Sequence, residues 1–462
     1  MKNTGLSALL AAALLAGGMS YGANAADFGG DCCADLEERI AELEATTARK
    51  GNRKVSLTVS GFVAQQVLFW DDGFEDNVYV TDTGSVSIGT NVSFSGNAKI
   101  NSEWSAGFAI KLELINADSL LVNQNSDDGN IGLGGSGAAL ATLQGNGSDA
   151  VALESAYWFL KSERLGRLSV GQQSSAVDNQ AIIVDGSGSL VQANYVLYDS
   201  NAFAIRNSAG GATTNWGSLG NCQTLNAYGG AAADCDGVPH NNVRYDTPTY
   251  KGFGASFSWG EDDIWGASIR YAGSMRDFKV AVAAAYVHSS DEGGTGLVTN
   301  AGASANGGLD VAAFQVGAYA MHTPTGLFVY GAYGTEDNET TSSVRDAGQT
   351  NPDHDVWYLK AGLRRKFVPL GHTVFYGEYG QKDDAFTAGL YDEGVNSTEL
   401  THWGVGVVQE IDAAAMSVWM AYRGYDADVT CDAAIGGCAT FGDGNADLEE
   451  LHLFKMGALI AF

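Results

Sequence analysis

Proline is scarce in this chain, 5 of 462 residues, while glycine is plentiful at 61. That balance excludes a proline-rich linker or a collagen-like rod. It suits twisted strands joined by turns and long loops. Positive charge is also short: 25 Lys and Arg stand against 54 Asp and Glu, a formal charge of −29. An excess of this sign argues against nucleic acid as a partner and sets up a field that draws cations. No run beyond the first segment approaches the ~20 apolar residues that a membrane helix requires. Chemistry-bearing patterns are missing too. The 7 histidines are dispersed, and no His-Glu-x-x-His, Cys-x-x-Cys or Gly-x-Ser-x-Gly spacing occurs. The sequence therefore implies no enzyme, no cofactor and no metal site.

What is present begins at the two ends. Lys2 precedes an apolar run, Leu6 to Ala16, and Ala23-Asn24-Ala25 fits a small-x-small cleavage pattern. Residues 1–25 are expected to be a signal peptide. Removing Lys2 with it leaves 24 basic against 54 acidic residues, or −30. At the other end Phe454, Met456, Ala458, Ile460 and Phe462 are apolar on alternate positions, and Lys455 lies in the intervening row. That is a strand with one lipid-compatible face. Such a strand on a soluble protein would leave an aggregation-prone edge; the alternative is a buried terminal strand of a soluble sandwich.

Residues 26–53 form a leader of different character. Leu36, Ile40, Leu43 and Thr47 are spaced as a heptad seam on the chain's one clearly helical stretch. The helix is too short to stand alone. It implies either a three-copy coiled coil, brought together by a trimeric barrel, or a frayed or surface-docked helix.

From Lys54 onward the period becomes two. Phe108, Ile110, Leu112 and Leu114 share one face, and Lys111 and Glu113 share the other. Residues 357–364 repeat the inversion, apolar on one side and charged on the other. Charged rows cannot line a dry core, but they can line a water-filled lumen. Strands are expected at 54–71, 84–100, 102–117, 151–163, 166–173, 241–248, 252–261, 263–273, 276–289, 309–322, 325–335, 354–367, 371–382, 399–412, 414–427 and 448–462. The fold class is therefore all-β: a 16-stranded antiparallel transmembrane barrel over residues 54–462, preceded by a short periplasmic helix. Short turns, such as Arg164-Leu165-Gly166, alternate with long polar loops. That parity puts both termini in the periplasm of a Gram-negative outer membrane.

The run Arg167-Leu168-Ser169-Val170-Gly171-Gln172-Gln173, a long loop, and then Asn241 to Phe253 resemble the general bacterial porins around their third loop. Val59-Ser60-Gly61-Phe62 through Asp72-Gly73 and the leader Asp31-Cys32-Cys33-Ala34-Asp35-Leu36-Glu37-Glu38-Arg39 resemble the porins of alphaproteobacteria. The resemblance implies a homotrimeric, water-filled barrel whose third loop, residues 174–240, folds inward as a constriction. It implies passive diffusion of small hydrophilic solutes and ions. The competing readings are a channel selective for a sugar or ion, and a barrel acting mainly as a tether to the cell wall.

In such a channel the function is a size and charge filter. Asp178 and Asp185, in the first part of the third loop, are the acidic candidates; the alternative is an ordinary exposed loop aspartate. Strand parity nominates Lys111, Arg244, Arg270, Lys360, Arg364, Arg423 and Lys455 as inward basic residues. Arg364 sits near a periplasmic end, where a phospholipid headgroup is the other possible partner. Opposed acidic and basic rows would create a transverse field. Cys222 with Cys235 and Cys431 with Cys438 are local disulfide candidates; the first would close a loop worth about 3 kcal/mol. Adjacent Cys32 and Cys33 bridge each other only with strain, and a cross-link between protomers is the sharper expectation. Lipid and lipopolysaccharide are expected around the barrel. Peptidoglycan is a further expected partner, through the leader.

Overall fold

A computed structural model describes residues 55–84, 88–127, 150–194, 196–220, 222, 234–235, 239–260, 263–291, 309–339, 353–386, 390–391, 393–432, 441 and 448–462. The leader, with Cys32, Cys33, Leu36, Ile40 and Leu43, lies outside the described residues, as does Cys438.

The strands are β1 (Ser56–Asp71), β2 (Asp76–Thr81), β3 (Asn91–Lys99), β4 (Trp104–Ile115), β5 (Ala150–Ser162) and β6 (Gly166–Gln173). A small hairpin follows, β7 (Ala204–Arg206) and β8 (Ala212–Asn215). The wall resumes with β9 (His240–Asp246), β10 (Phe253–Gly260), β11 (Ile264–Met275), β12 (Phe278–Asp291), β13 (Leu309–His322) and β14 (Leu327–Asn338). It ends with β15 (His354–Val368), β16 (Gly371–Asp383), β17 (Val395–Ile411), β18 (Met416–Cys431) and β19 (Leu451–Ala461).

All but β7 and β8 join one 17-stranded antiparallel sheet. Its 17 segments fill 16 positions, because β2 and β3 both pair with β1: Asp71 to Gln66 face Asp76 to Thr81, and Phe62 to Ser56 face Asn91 to Asn97. The other edge of β1 pairs with β19, from Phe62 opposite Ala461 to Asp71 opposite His452. The sheet is therefore a closed barrel, which leaves no edge for another chain to extend.

One expected strand, 84–100, is corrected. Among the described residues the wall is interrupted between Thr81 and Asn91, although Val86, Ile88 and Thr90 continue the alternation of Val92 and Phe94. The Asp82 carboxylate accepts the N–H groups of Gly84 (3.1 Å) and Ser119 (3.1 Å), holding the turn. The Ile88 side chain is then buried rather than aligned in the wall. Thr90 bridges what remains, its carbonyl accepting from Leu114 N–H and its hydroxyl from Ala64 N–H.

The two faces of the wall are inverted relative to a soluble protein. Ile110, Val282, Leu359, Val405 and Ile460 stand exposed, while Lys360, Arg423, Lys455, Glu378 and Glu410 are buried. Each set follows strand parity. An apolar exterior is stable only against hydrocarbon, and the polar row needs partners within.

Candidate permeation site

After β6 the chain does not leave along the wall. Residues Ser174 to Ser200 visit one strand after another in order. Arg244 of β9 donates to the carbonyls of Ser174 (3.1 Å) and Ser175 (2.8 Å). Ala176 N–H donates to Ser258 Oγ of β10 at 2.9 Å. Gln315 of β13 clasps a short helix, Gln180–Ile183, donating to Val177 O (3.0 Å) and accepting from Ala181 N–H (2.8 Å). The Tyr330 hydroxyl of β14 donates to Ala181 O at 2.7 Å. Lys360 of β15 meets Asp185 (2.5 Å) and Ala193 O (2.7 Å). Arg423 of β18 donates to Asn194 O at 2.9 Å. Lys455 of β19 and Gln66 of β1 divide the two oxygens of Asp199, at 2.7 and 2.6 Å.

Close approach requires small wall residues. A side chain at Gly317 of β13 would put its Cβ 2.1 Å from Ala181 O, so the helix sits where only glycine leaves room. Apolar residues of the segment (Ala181, Ile182, Val184, Val191, Ala193, Val196) join Tyr319, Phe328, Tyr330, Tyr358 and Tyr376 from the wall in one buried cluster.

Ion pairs hold at least six of the nominated cations. Besides Lys360–Asp185 and Lys455–Asp199, the pairs are Lys111–Glu154 (2.6 Å), Arg244–Asp246 (2.9 Å), Arg364–Glu410 (2.8 Å) and Arg423–Glu378 (2.9 Å). Arg364 and Arg423 each reach both carboxylate oxygens, the strongest geometry for such a pair. Arg364 thus meets a wall carboxylate near the periplasmic end. Arg270 approaches Ser256 Oγ at 3.4 Å. Asp185 faces Lys360 of the wall. Asp178 is buried and accepts from the Asn179 amide, with its own N–H donating to Ser175 Oγ at 3.3 Å.

Sequence reading passed over the other acidic partners. Glu378 and Glu410 lie on strands whose parity could have found them. Asp246 follows Arg244 by two on the same face, so period two carried that signal too. Glu154 escaped parity because β5 bulges there: Lys111 opposes Ser155 while Leu112 opposes Leu153. Asp199, in the loop, had no local signal. Cys222 and Cys235 form a disulfide, as the spacing suggested. Cys431 is also disulfide-bonded.

The chain that closes this barrel of sixteen positions matches the family model for Gram-negative porins over residues 8–428. This chain belongs to that family. Among solved structures, the porin resembles an anion-selective porin from Comamonas acidovorans at 12% identity and a TM-score of 0.52, over 88% of this chain and 100% of that one. It also resembles the outer membrane channel DcaP of Acinetobacter baumannii at 10% identity and a TM-score of 0.52, over 90% and 100%. At such identities the likeness concerns the fold. No curated protein sequence matches. The porin is a multi-pass outer-membrane protein and a diffusion channel.

Proposed function

We propose that this porin passes small hydrophilic solutes and ions passively, without chemistry, through a lumen narrowed by Ser174–Ser200 acting as an inward-folded third loop. The observation that carries the reading is the sequence of anchors above, from Arg244 of β9 round to Gln66 of β1, all on the polar face of the wall. The segment's anchors fall on β9, β10, β13–β15, β18, β19 and β1. The open path then runs against β3–β6, where Ser95 and Asn97, on the polar face, keep contact with solvent. On that side Lys111 and Glu154 retain 15% and 11% side-chain exposure, against 0% for both Lys360 and Asp185. Arg244–Asp246 is comparably exposed, at 9% and 11%, but Arg244 also holds Ser174 and Ser175; Lys111 and Glu154 are therefore the charges assigned to the open side, while Arg244, Lys360, Arg423 and Lys455 brace the segment.

The acidic balance of −29 favours a cation preference. The second reading, a solute-selective channel, is the alternative that the experiment must separate from free diffusion. Assembly as a homotrimer with the leader seam Leu36, Ile40 and Leu43 as a coiled coil, membership of the alphaproteobacterial branch, and contacts with lipopolysaccharide and peptidoglycan rest on the resemblance in the sequence. The deciding experiment is single-channel conductance of the refolded protein in a planar bilayer under a salt gradient. Ohmic steps in threes with a cation-directed reversal potential support the proposal. Saturable, solute-blocked conductance supports the selective reading, and a folded barrel without conductance rejects both.

A further inference from the structure

We infer that Cys222, Cys235, Glu336 and His354 form a redox-gated zinc site that ties the far end of the third loop to the wall. Glu336 of β14 and His354 of β15 are cross-strand neighbours in register, and neither side chain is exposed to solvent. His354 Nδ1 lies 3.1 Å from Glu336 Oε2, and His354 Nε2, though buried, has no hydrogen-bond partner. The disulfide rests over this pair: Cys235 Sγ is 3.9 Å from Glu336 Oε2, and both cysteines are buried. One donor atom from each of the four residues falls within 4.8 Å of all the others. Tetrahedral zinc, with bonds of about 2.0–2.3 Å, holds its donors roughly 3.3–3.8 Å apart, so small side-chain rotations close the set. Two sulfurs, one imidazole nitrogen and one carboxylate oxygen suit zinc over calcium or magnesium.

The disulfide and the metal are alternatives, since zinc requires thiolates. Two molecules of a thiol reductant supply two electrons and two protons. The Cys222–Cys235 S–S bond breaks, the reductant becomes its own disulfide, and two protein thiols result. Zinc then binds both sulfurs and displaces two protons. In the oxidised porin the bridge packs against the wall, and beside it Asp234 accepts from Gln315 of β13 at 3.0 Å, with no covalent or coordinate bond to β14 or β15. In the reduced, zinc-bound porin the same loop is fastened to β14 and β15.

The test uses the full chain refolded in detergent with Cys32→Ser, Cys33→Ser, Cys431→Ser and Cys438→Ser, so that other thiols do not bind. After reduction with a water-soluble phosphine, cobalt(II) titration is expected to saturate at one ion per chain. It should show a near-ultraviolet thiolate-to-cobalt band and the visible bands of a tetrahedral site, displaced by zinc. The oxidised protein should show neither. Glu336→Gln and His354→Gln, each checked for folding by heat-modifiable gel mobility, should weaken cobalt at least about tenfold. The inference is overturned if reduction creates no cobalt site, or if both folded variants bind as tightly as the parent, which would leave the thiols acting alone.

Discussion

The Lys360 ammonium of β15 meets the Asp185 carboxylate at 2.5 Å, with both side chains fully out of solvent and the two positions 175 apart in sequence. A desolvated pair of this kind costs most when one member is removed, because the other charge is stranded. Lys360→Met should lower stability by about 3 kcal/mol and raise open-channel noise as the segment loosens. Pairing it with Asp185→Leu should restore part of the loss. Thermal melting in detergent and single-channel records check both; a single variant that melts with the parent would sever the segment from this anchor.

The Lys111–Glu154 pair predicts the ion preference. Lys111→Gln should strengthen cation selectivity and Glu154→Gln weaken it. A charge ~10 Å from the ion in water contributes about 0.4 kcal/mol, so each permeability ratio should move roughly twofold. Lys360→Gln should move it less. Reversal potentials in a salt gradient give the comparison, and a larger effect at Lys360 would place the path on the opposite wall.

Gly317 supplies a steric test. Gly317→Ala forces Ala181 away from β13, since the added carbon would sit 2.1 Å from its carbonyl oxygen. The expected cost is roughly 1–3 kcal/mol. Displacement of the Gln180–Ile183 helix should also change conductance. Alanine at Gly331, where the nearest atom would be 3.6 Å away, is the matched control. Equal conductance and melting in the two variants would contradict the contact.

Acid should release the β7–β8 hairpin. Burial alone would raise the Asp72 carboxyl, but Arg206, Gln124 and the N–H groups of Glu75 and Phe74 outweigh it and hold it below its ordinary value. Arg206, on β7, donates at 2.8 Å. The stabilisation is complete above the unfolded carboxyl's titration, near pH 4, and is lost as pH falls through the lowered folded value. Pepsin cleavage within 204–215 should therefore rise steeply below about pH 4. Asp72→Asn should be cut at pH 5 already. A flat profile in the parent would show that this tie does not hold the hairpin.

Period-two patterning made the wall legible because a barrel strand is local: each side chain's face follows from its parity, and the exterior must be apolar. Lys111, Arg244, Lys360, Arg423 and Lys455 could be placed inward from that rule alone, and the closing strand from Phe454 to Phe462 likewise. The rule failed between Thr81 and Asn91, where Val86, Ile88 and Thr90 continue the alternation of Val92 and Phe94 but the ladder to β1 begins only at Asn91, because Asp82 and Thr90 hold the chain there through side-chain hydrogen bonds. It failed again at Glu154, where a bulge shifts parity by one.

What the tertiary structure alone decided is which residues distant in sequence the inward groups meet. Asp185 with Lys360, Asp199 with Lys455, and Cys235 beside Glu336 join positions 101 to 256 residues apart. No local spacing encodes such distances. They arise because sheet closure brings β9 through β19 and β1 around one interior, and because a buried charge must find its opposite there or remain desolvated.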